Sequence, residues 1–149
     1  RLLAAMTQVG SQGTGNAVEL AYVNSTRLRE LQAISSSRFD LAKLIQLCEE
    51  LNKCYNAECY FAVTMLTRAV LDHVPPIFEC SKFSQLANNC SGGKSFKKSM
   101  QHLENSSRDI ADAHLHNQIR PKEIIPNETQ VNFSNDLDIL LAEIVRRLK

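Results

Sequence analysis

The stretch AECYFAVTMLTRAVLDH, residues 57–73, leaves almost no polar face when it is wound as a helix. Its large apolar positions are Tyr60, Phe61, Val63, Met65, Leu66, Ala69, Val70 and Leu71. Pro75 and Pro76 follow, and the residue before a proline is disfavoured in helical geometry, so the helix stops there. The pattern predicts a central helix, the most buried of the fold, with Leu66 and Val70 inside the core.

Further segments with helical spacing lie on both sides of this stretch. A first helix is expected from Ala17 to Ile34, a second after the potential cap Asp40, and a short one over residues 82–89. A long helix, capped by Ser95, is expected to run to His116 or Asn117, and a last helix is expected to be capped by Ser134 or Asn135. Residues 118–133 contain two prolines and read as a loop. The fold class is therefore all-α, a four- to five-helix, mainly antiparallel bundle.

Composition sets the domain organisation. The 149 residues, 44% of them hydrophobic, suffice for one packed core. Residues 10–16 hold three of the five glycines and read as a linker. We expect residues 1–16 to be a linker or the end of a preceding region, and residues 17–149 to form the helical bundle domain. Because the chain lacks an initiator Met, we expect it to be the C-terminal part of a longer protein.

Charge and cysteine usage narrow the function classes. With 17 Lys and Arg against 16 Asp and Glu, the net charge of +1 gives no global field, so any nucleic-acid site must be local. No apolar run approaches the roughly 20 residues that cross a bilayer, so no membrane association is expected. The five cysteines are odd in number and lack a C-x-x-C pair, which predicts reduced core thiols in a cytoplasmic protein.

The long helix gathers three of the four histidines, His102, His114 and His116. Arg108, Asp112 and His116 are successive four-residue steps, so Arg108 can pair with Asp112 in a solvated ladder. His114 instead continues an apolar stripe and should face a core or an interface. That stripe is Phe96, Met100, Leu103, Ser107 and Ile110. A lone histidine there is either structural or, beside a fixed arginine, suited to acid–base cleavage of a phosphodiester.

The segment from Arg108 to His114, RDIADAH, resembles the R-x(4 to 6)-H motif of HEPN domains, with the polar Asp109 after the arginine. HEPN domains are compact helical bundles with the motif on a late helix. The resemblance implies a metal-independent endoribonuclease without a cofactor, in which His114 is the general acid or base and Arg108 stabilises the phosphate. It also implies a homodimer that joins two motifs at a symmetric interface. Bacterial relatives often serve in toxin–antitoxin, abortive-infection or other defence systems.

Three other groups could support such a site. Asp112 and His116 flank His114 on the long helix. Arg68, Asp72 and His73 lie on the central helix, where they form either an internal ion pair that locks it against the long helix or a supporting shell around His114. The lysines Lys94, Lys97 and Lys98 are either RNA-phosphate contacts or a solvated helix end. A metal site is disfavoured because His114 and His116 point about 200° apart.

Two function classes remain open from the sequence. The first is a HEPN-like RNA-cleaving or RNA-binding effector. The second is a noncatalytic helical interaction or dimerisation domain, whose partner is a second copy, a regulatory protein or another domain of a longer chain. Convergence of Arg108 and His114 in an open cleft or across a two-fold axis favours the first class.

Overall fold

The structure, a computed structural model, describes residues 21–35, 38–89 and 92–149. Within these ranges the chain forms six α-helices, one short 3-10 helix and no strand, which confirms the all-α class. The α-helices are α1 (Ser25–Gln32), α2 (Ala42–Asn56), α3 (Tyr60–His73), α4 (Phe83–Asn89), α5 (Lys94–His114) and α6 (Ser134–Leu148), and the 3-10 helix is Pro75–Phe78. The predicted linker, residues 1–16, lies outside the described ranges. None of the described helices has the length and apolarity to span a membrane.

One continuous core joins the helices. The helix α3 packs on α2 and α5, α5 also contacts α4 and α6, and α1 bridges α2 and α6. The largest side chains sealed inside the core are Tyr22, Leu31, Leu44, Leu51, Leu71, Leu86, Met100, Leu103, Leu137, Leu140, Leu141 and Ile144. Their three- and four-residue spacing gives each helix one apolar stripe, and the stripes meet in the centre. The long helix α5 therefore spans the core and carries the segment from Arg108 to His114 at its C-terminal end.

The central helix is buried less completely than its composition predicts. Val63, Val70 and Leu71 are fully buried, whereas Leu66 is only half-buried. Phe61 and Met65 are 42% and 59% exposed. The prediction of burial on all sides, including Leu66, is therefore wrong. The physical reason is that α2 and α5 cover α3 only in part, and composition does not show which face a neighbour covers.

Several helix ends differ from the predicted ones. Residues 21–24 are not helical, so α1 starts at Ser25 rather than Ala17; the predicted residues 17–20 lie outside the described ranges. Asn24 caps α1, its Oδ1 accepting hydrogen bonds from the backbone N–H of Thr26 and Arg27. The N-cap positions of α2, α5 and α6 are Leu41, Gly93 and Phe133, none with a side-chain cap bond. Asp40 precedes the N-cap position of α2, yet its Oδ1 accepts the backbone N–H of Ala42, the first residue of the helix, at 2.9 Å, as the prediction of a cap requires. Ser95, Ser134 and Asn135 lie inside their helices and are not the N-caps.

Tyr22 fixes the connection between α5 and α6. Its buried hydroxyl donates to the carbonyl of Val131 at 2.7 Å and accepts from the backbone N–H of Phe133 at 2.9 Å. Burial raises the pKa of Tyr22 to about 12, although the hydrogen bonds with Thr67 and the backbone of Phe133 act in the opposite direction. Because this hydroxyl satisfies two main-chain groups, it holds the loop predicted over residues 118–133 against the core where α6 begins.

The cysteines do not all occupy the core. Cys48 is fully buried, and burial raises the pKa of its thiol to about 12. Cys54 and Cys80 are half-buried and Cys59 is exposed, while Cys90 lies outside the described residues. The prediction of core thiols therefore holds for Cys48 but is wrong for Cys59. The reason is position: Cys48 lies on the buried stripe of α2, whereas Cys59 precedes α3.

Candidate functional site

The two motif residues have different partners within one protomer. Arg108 turns back along α5, and its Nε and Nη2 donate to Glu104 Oε1. His114, the last residue of α5, packs edge-on against Phe61 of α3, with ring centroids 6.3 Å apart and ring planes at 80°. Arg108 is thus directed toward the N-terminus of α5, away from His114. A single chain does not bring the arginine and the imidazole together around one phosphate.

A buried carboxylate organises the arginine. Glu104 is only 4% exposed and lies between Arg68 of α3 and Arg108 of α5. Arg68 Nη1 is 3.3 Å from Glu104 Oε2 and donates to Ser107 Oγ at 3.2 Å. The hydrogen bond to Glu104, followed by its charge, raises the pKa of Arg108. A buried carboxylate must be paired, so both arginines contribute to the stability of the fold.

The predicted internal ion pair is therefore present, but with a different central residue. Arg68 does approach Asp72, at 3.7 Å from Nη2 to Oδ1, yet the link between α3 and α5 is made through Glu104. Likewise, Arg108 pairs with Glu104 and not with Asp112, which is exposed. Sequence reasoning missed Glu104 and Ser107 as polar partners. The available signal was the position of Glu104, beside Leu103 of the apolar stripe and four residues before Arg108.

His114 lies at the edge of an open cleft of about 320 Å³. The imidazole is half-buried, and its Nδ1 is covered without a hydrogen-bond partner among the described residues. Phe61, Ala113, His114, Asn117, Arg120, Glu123, Ile124 and Ile125 line the cleft. Arg120, which the sequence reading did not single out, bonds to Glu123 through its backbone N–H at 2.9 Å and through Nε at 3.2 Å. The cleft therefore combines an imidazole, a guanidinium and an aromatic wall.

A set of exposed apolar side chains surrounds this cleft. Phe61, Ile124 and Ile125 line it, all three are exposed, and Met65 lies one turn along α3 from Phe61. We call Phe61, Met65, Ile124 and Ile125 the apolar patch. Large apolar side chains that cluster on a surface beside polar groups mark interaction sites. His114 is therefore next to a surface suited to contact another macromolecule.

The remaining predicted site residues are spread over the surface. Asp109, Asp112 and His116 are exposed. His73 is half-buried, and burial and, to a smaller extent, the charge of Lys43 lower its pKa. Arg68 and Asp72 thus join the Glu104 cluster.

The basic start of α5 is accessible. Lys94 and Lys98 are exposed and Lys97 is half-buried. In the described part of the chain, no three His, Cys, Asp or Glu side chains are grouped so that they could hold a metal ion.

No protein-family model, no curated protein and no solved structure matches the chain. What the domain does is therefore inferred from the geometry of its own residues.

Proposed function

We propose that this domain is a HEPN-like, metal-independent RNA-cleaving effector that acts as a homodimer. The observation that carries the proposal is the position of His114, at an open cleft surrounded by the apolar patch. A half-buried imidazole beside a surface that favours contact with a second copy is the arrangement that a shared two-fold site requires. The setting we infer is cytoplasmic, within a toxin, abortive-infection or other defence system.

The apolar patch supplies the driving force for assembly. Phe61 and Met65 present the same face of α3 to solvent, and Ile124 and Ile125 extend that surface from the loop after α5. Burial of apolar area is worth roughly 25 cal/mol per Å² before the cost of association is subtracted. In an isologous interface each patch covers the same patch of the partner. The two His114 side chains are then drawn toward the axis.

The chemistry follows from the groups in the cleft. Since Nδ1 of His114 is covered, Nε2 is the ring nitrogen that faces a substrate. One His114 takes the proton of the ribose 2′-hydroxyl, the 2′-oxygen attacks phosphorus, and the bond from phosphorus to the 5′-oxygen breaks. The His114 of the second protomer protonates the departing 5′-oxygen. The products are a 2′,3′-cyclic phosphate and a free 5′-hydroxyl.

The phosphate needs a cation, and two arginines are candidates. Arg120 lines the cleft with His114 in the same protomer. Arg108 is half exposed, but Glu104 holds it away from His114 of its own protomer. In the proposed dimer it therefore contacts a phosphate only across the axis, beside His114 of the second protomer. The predicted roles of Asp109, Asp112 and His116 remain proposals, as exposed polar groups that flank the motif.

A second candidate function is a noncatalytic dimerisation or interaction domain. The observation that favours it is the commitment of Arg108 to Glu104, together with the absence, among the described residues, of a hydrogen-bond partner that orients Nδ1 of His114. Catalytic imidazoles are usually oriented by a partner on the second ring nitrogen. In this case the apolar patch binds a second copy or a regulatory protein, and His114 contributes packing alone.

One experiment separates the two functions. RNA cleavage is measured in chelator with the wild-type protein, His114→Ala and the control Gln118→Ala, while light scattering gives the oligomeric state. The nuclease proposal expects cleavage by a dimer, loss in His114→Ala and retention in Gln118→Ala, because Gln118 is exposed after the end of α5 and does not line the cleft. A folded dimer without cleavage supports the noncatalytic function. A strict monomer at micromolar concentration overturns the homodimer, and with it the proposed nuclease, and leaves a regulatory protein as the partner of the apolar patch.

The assembly is tested separately through the apolar patch. Phe61→Ser with Met65→Ser should yield a folded monomer without RNA cleavage, since both side chains are exposed in one protomer. The matched control is Ile119→Ser, which changes an exposed apolar side chain outside the apolar patch and should leave dimerisation and cleavage unchanged. Retained dimerisation in the double variant would place the interface elsewhere.

A further inference from the structure

His102 is an oriented histidine outside the His114 cleft. Its Nδ1 contacts Asp136 Oδ2 in the first turn of α6, and its ring lies edge-on to Phe133 at 6.3 Å. An ionised carboxylate only accepts hydrogen bonds, so Nδ1 carries the hydrogen and the ring orientation is fixed. The side chain of His102 is 61% exposed. The second nitrogen, Nε2, is therefore the one presented to solvent.

This histidine completes a row of basic residues. Lys94, Lys98 and His102 are successive four-residue steps on α5 and share one face, which we call the lysine–histidine ridge. The ridge spans roughly 12 Å along the helix axis. Residues 94–103 include no Asp or Glu. Over the described ranges, no carboxylate lies within ion-pair distance of Lys94 or Lys98.

The positive stretch is bounded. Farther along the same exposed side of α5 stand Asp109 and Asp112, so the surface changes sign beyond His102. His102 precedes His114 by twelve residues, roughly 18 Å along an ideal axis. The ridge and the cleft are therefore separate surfaces on one helix.

We propose that the lysine–histidine ridge binds the phosphate backbone of single-stranded RNA, and that Asp136 acts as a positioning residue for His102. The two lysines supply point charges, and Nε2 of His102 supplies a directed hydrogen bond to a phosphate oxygen. A linear array on one helix face matches a linear polyanion. The choice of RNA as that polyanion rests on the proposed function, whereas the ridge itself does not depend on His114.

The test is the binding of a short 2′-O-methyl RNA, which cannot be cleaved because its 2′-oxygen has no proton to lose. Fluorescence anisotropy is measured over a range of salt concentrations for Lys98→Gln, His102→Gln and the control Lys53→Gln, an exposed lysine of α2. Lys98→Gln and His102→Gln should each weaken binding about 2- to 5-fold, and Lys98→Gln should lower the salt slope by about 1. Lys53→Gln should bind as the wild type does.

Two substitutions of Asp136 separate positioning from charge. Asp136→Ala removes the charge and the hydrogen-bond acceptor, whereas Asp136→Asn removes the charge and keeps an amide oxygen that can accept from Nδ1–H of His102. If Asp136 acts only through its charge, both variants should tighten RNA binding to the same extent. If Asp136 positions His102, Asp136→Ala should bind more weakly than Asp136→Asn, and adding His102→Gln to Asp136→Ala should have no further effect. Equally tighter binding by both variants overturns the positioning role.

The variant Lys94→Glu tests whether weaker RNA binding results only from a loss of folding. A cation in the first turn opposes the helix dipole, so the substitution should raise the melting temperature of the domain while it weakens RNA binding. Equal RNA binding by Lys98→Gln, His102→Gln and Lys53→Gln overturns the proposed RNA-binding role of the ridge. Stronger competition by an acidic peptide than by RNA overturns it as well. If RNA binding depends on the ridge but no RNA is cleaved, the ridge is supported and the nuclease proposal is refuted. If cleavage depends on His114 but RNA binding does not depend on the ridge, the nuclease proposal is supported and the ridge is refuted.

Discussion

Arg68 on α3 and Glu104 on α5 form a buried ion pair, with 3.3 Å between Nη1 and Oε2. The pair joins the two helices that carry most of the candidate site, since Phe61 is on α3 and His114 is on α5. Glu104 also holds Arg108, so the same carboxylate links the stability of the fold to the orientation of the motif arginine. A change at Glu104 should therefore affect both.

We expect Glu104→Ala to lower the free energy of unfolding by up to about 3 to 5 kcal/mol, because the partly buried Arg68 would keep only the largely exposed Asp72 as its counter-charge. Denaturant titration measures this loss. The matched control is Asp72→Ala, which removes a largely exposed partner of the same arginine and should cost less than about 1 kcal/mol. Equal losses in the two variants would show that Glu104 is not the central partner.

The sequence was sufficient to predict the buried side chains of those helices whose apolar stripes face the single core. Leu137, Leu140 and Leu141 follow the three- and four-residue spacing of α6, and all are buried as that spacing predicts. The sequence was insufficient to predict which face of α3 is buried, because the exposure of Phe61 and Met65 depends on which neighbouring helices cover α3. The partner of Arg108 could not be predicted from the sequence for a related reason. Glu104 becomes a buried counter-charge only when Arg68 arrives from another helix.

The two faces of α3 should differ in mutational cost. Leu71 is fully buried, so Leu71→Ala should lower the free energy of unfolding by roughly 2 to 5 kcal/mol through the cavity it leaves. Leu66→Ala should cost clearly less, because Leu66 is half-buried. Denaturant titration at a concentration where the protein is monomeric makes the comparison. A larger loss for Leu66 than for Leu71 would contradict the orientation of the helix.

Removal of one oxygen atom at Tyr22 should destabilise the fold. In Tyr22→Phe the N–H of Phe133 loses its acceptor and the carbonyl of Val131 loses its donor. Buried main-chain groups without partners cost about 1 to 3 kcal/mol, which a thermal or denaturant transition detects. Tyr60→Phe is the matched control, since its hydroxyl bonds to Glu128 in an exposed position, and we expect little change. Faster hydrogen exchange at Phe133 in Tyr22→Phe would locate the effect.

The last prediction concerns pH and His73. Burial, and secondarily the charge of Lys43, lower the pKa of His73 below its ordinary value of 6.5, so the unfolded chain binds a proton more readily than the folded one. Stability therefore rises with pH across the interval between the folded pKa and 6.5, and it is lost as the pH falls through that interval.

The measurement is the free energy of unfolding of the wild type and of His73→Gln from about pH 7.5 to about pH 5, on either side of the usual histidine range. The wild type should lose more stability than the variant as the pH falls below 6.5, and the two curves should run parallel above it. Lys43→Gln should reduce the difference in part, because it removes the smaller of the two causes. A difference curve that stays flat, or that rises toward acid, would show that His73 binds its proton at least as readily in the folded state as in the unfolded chain.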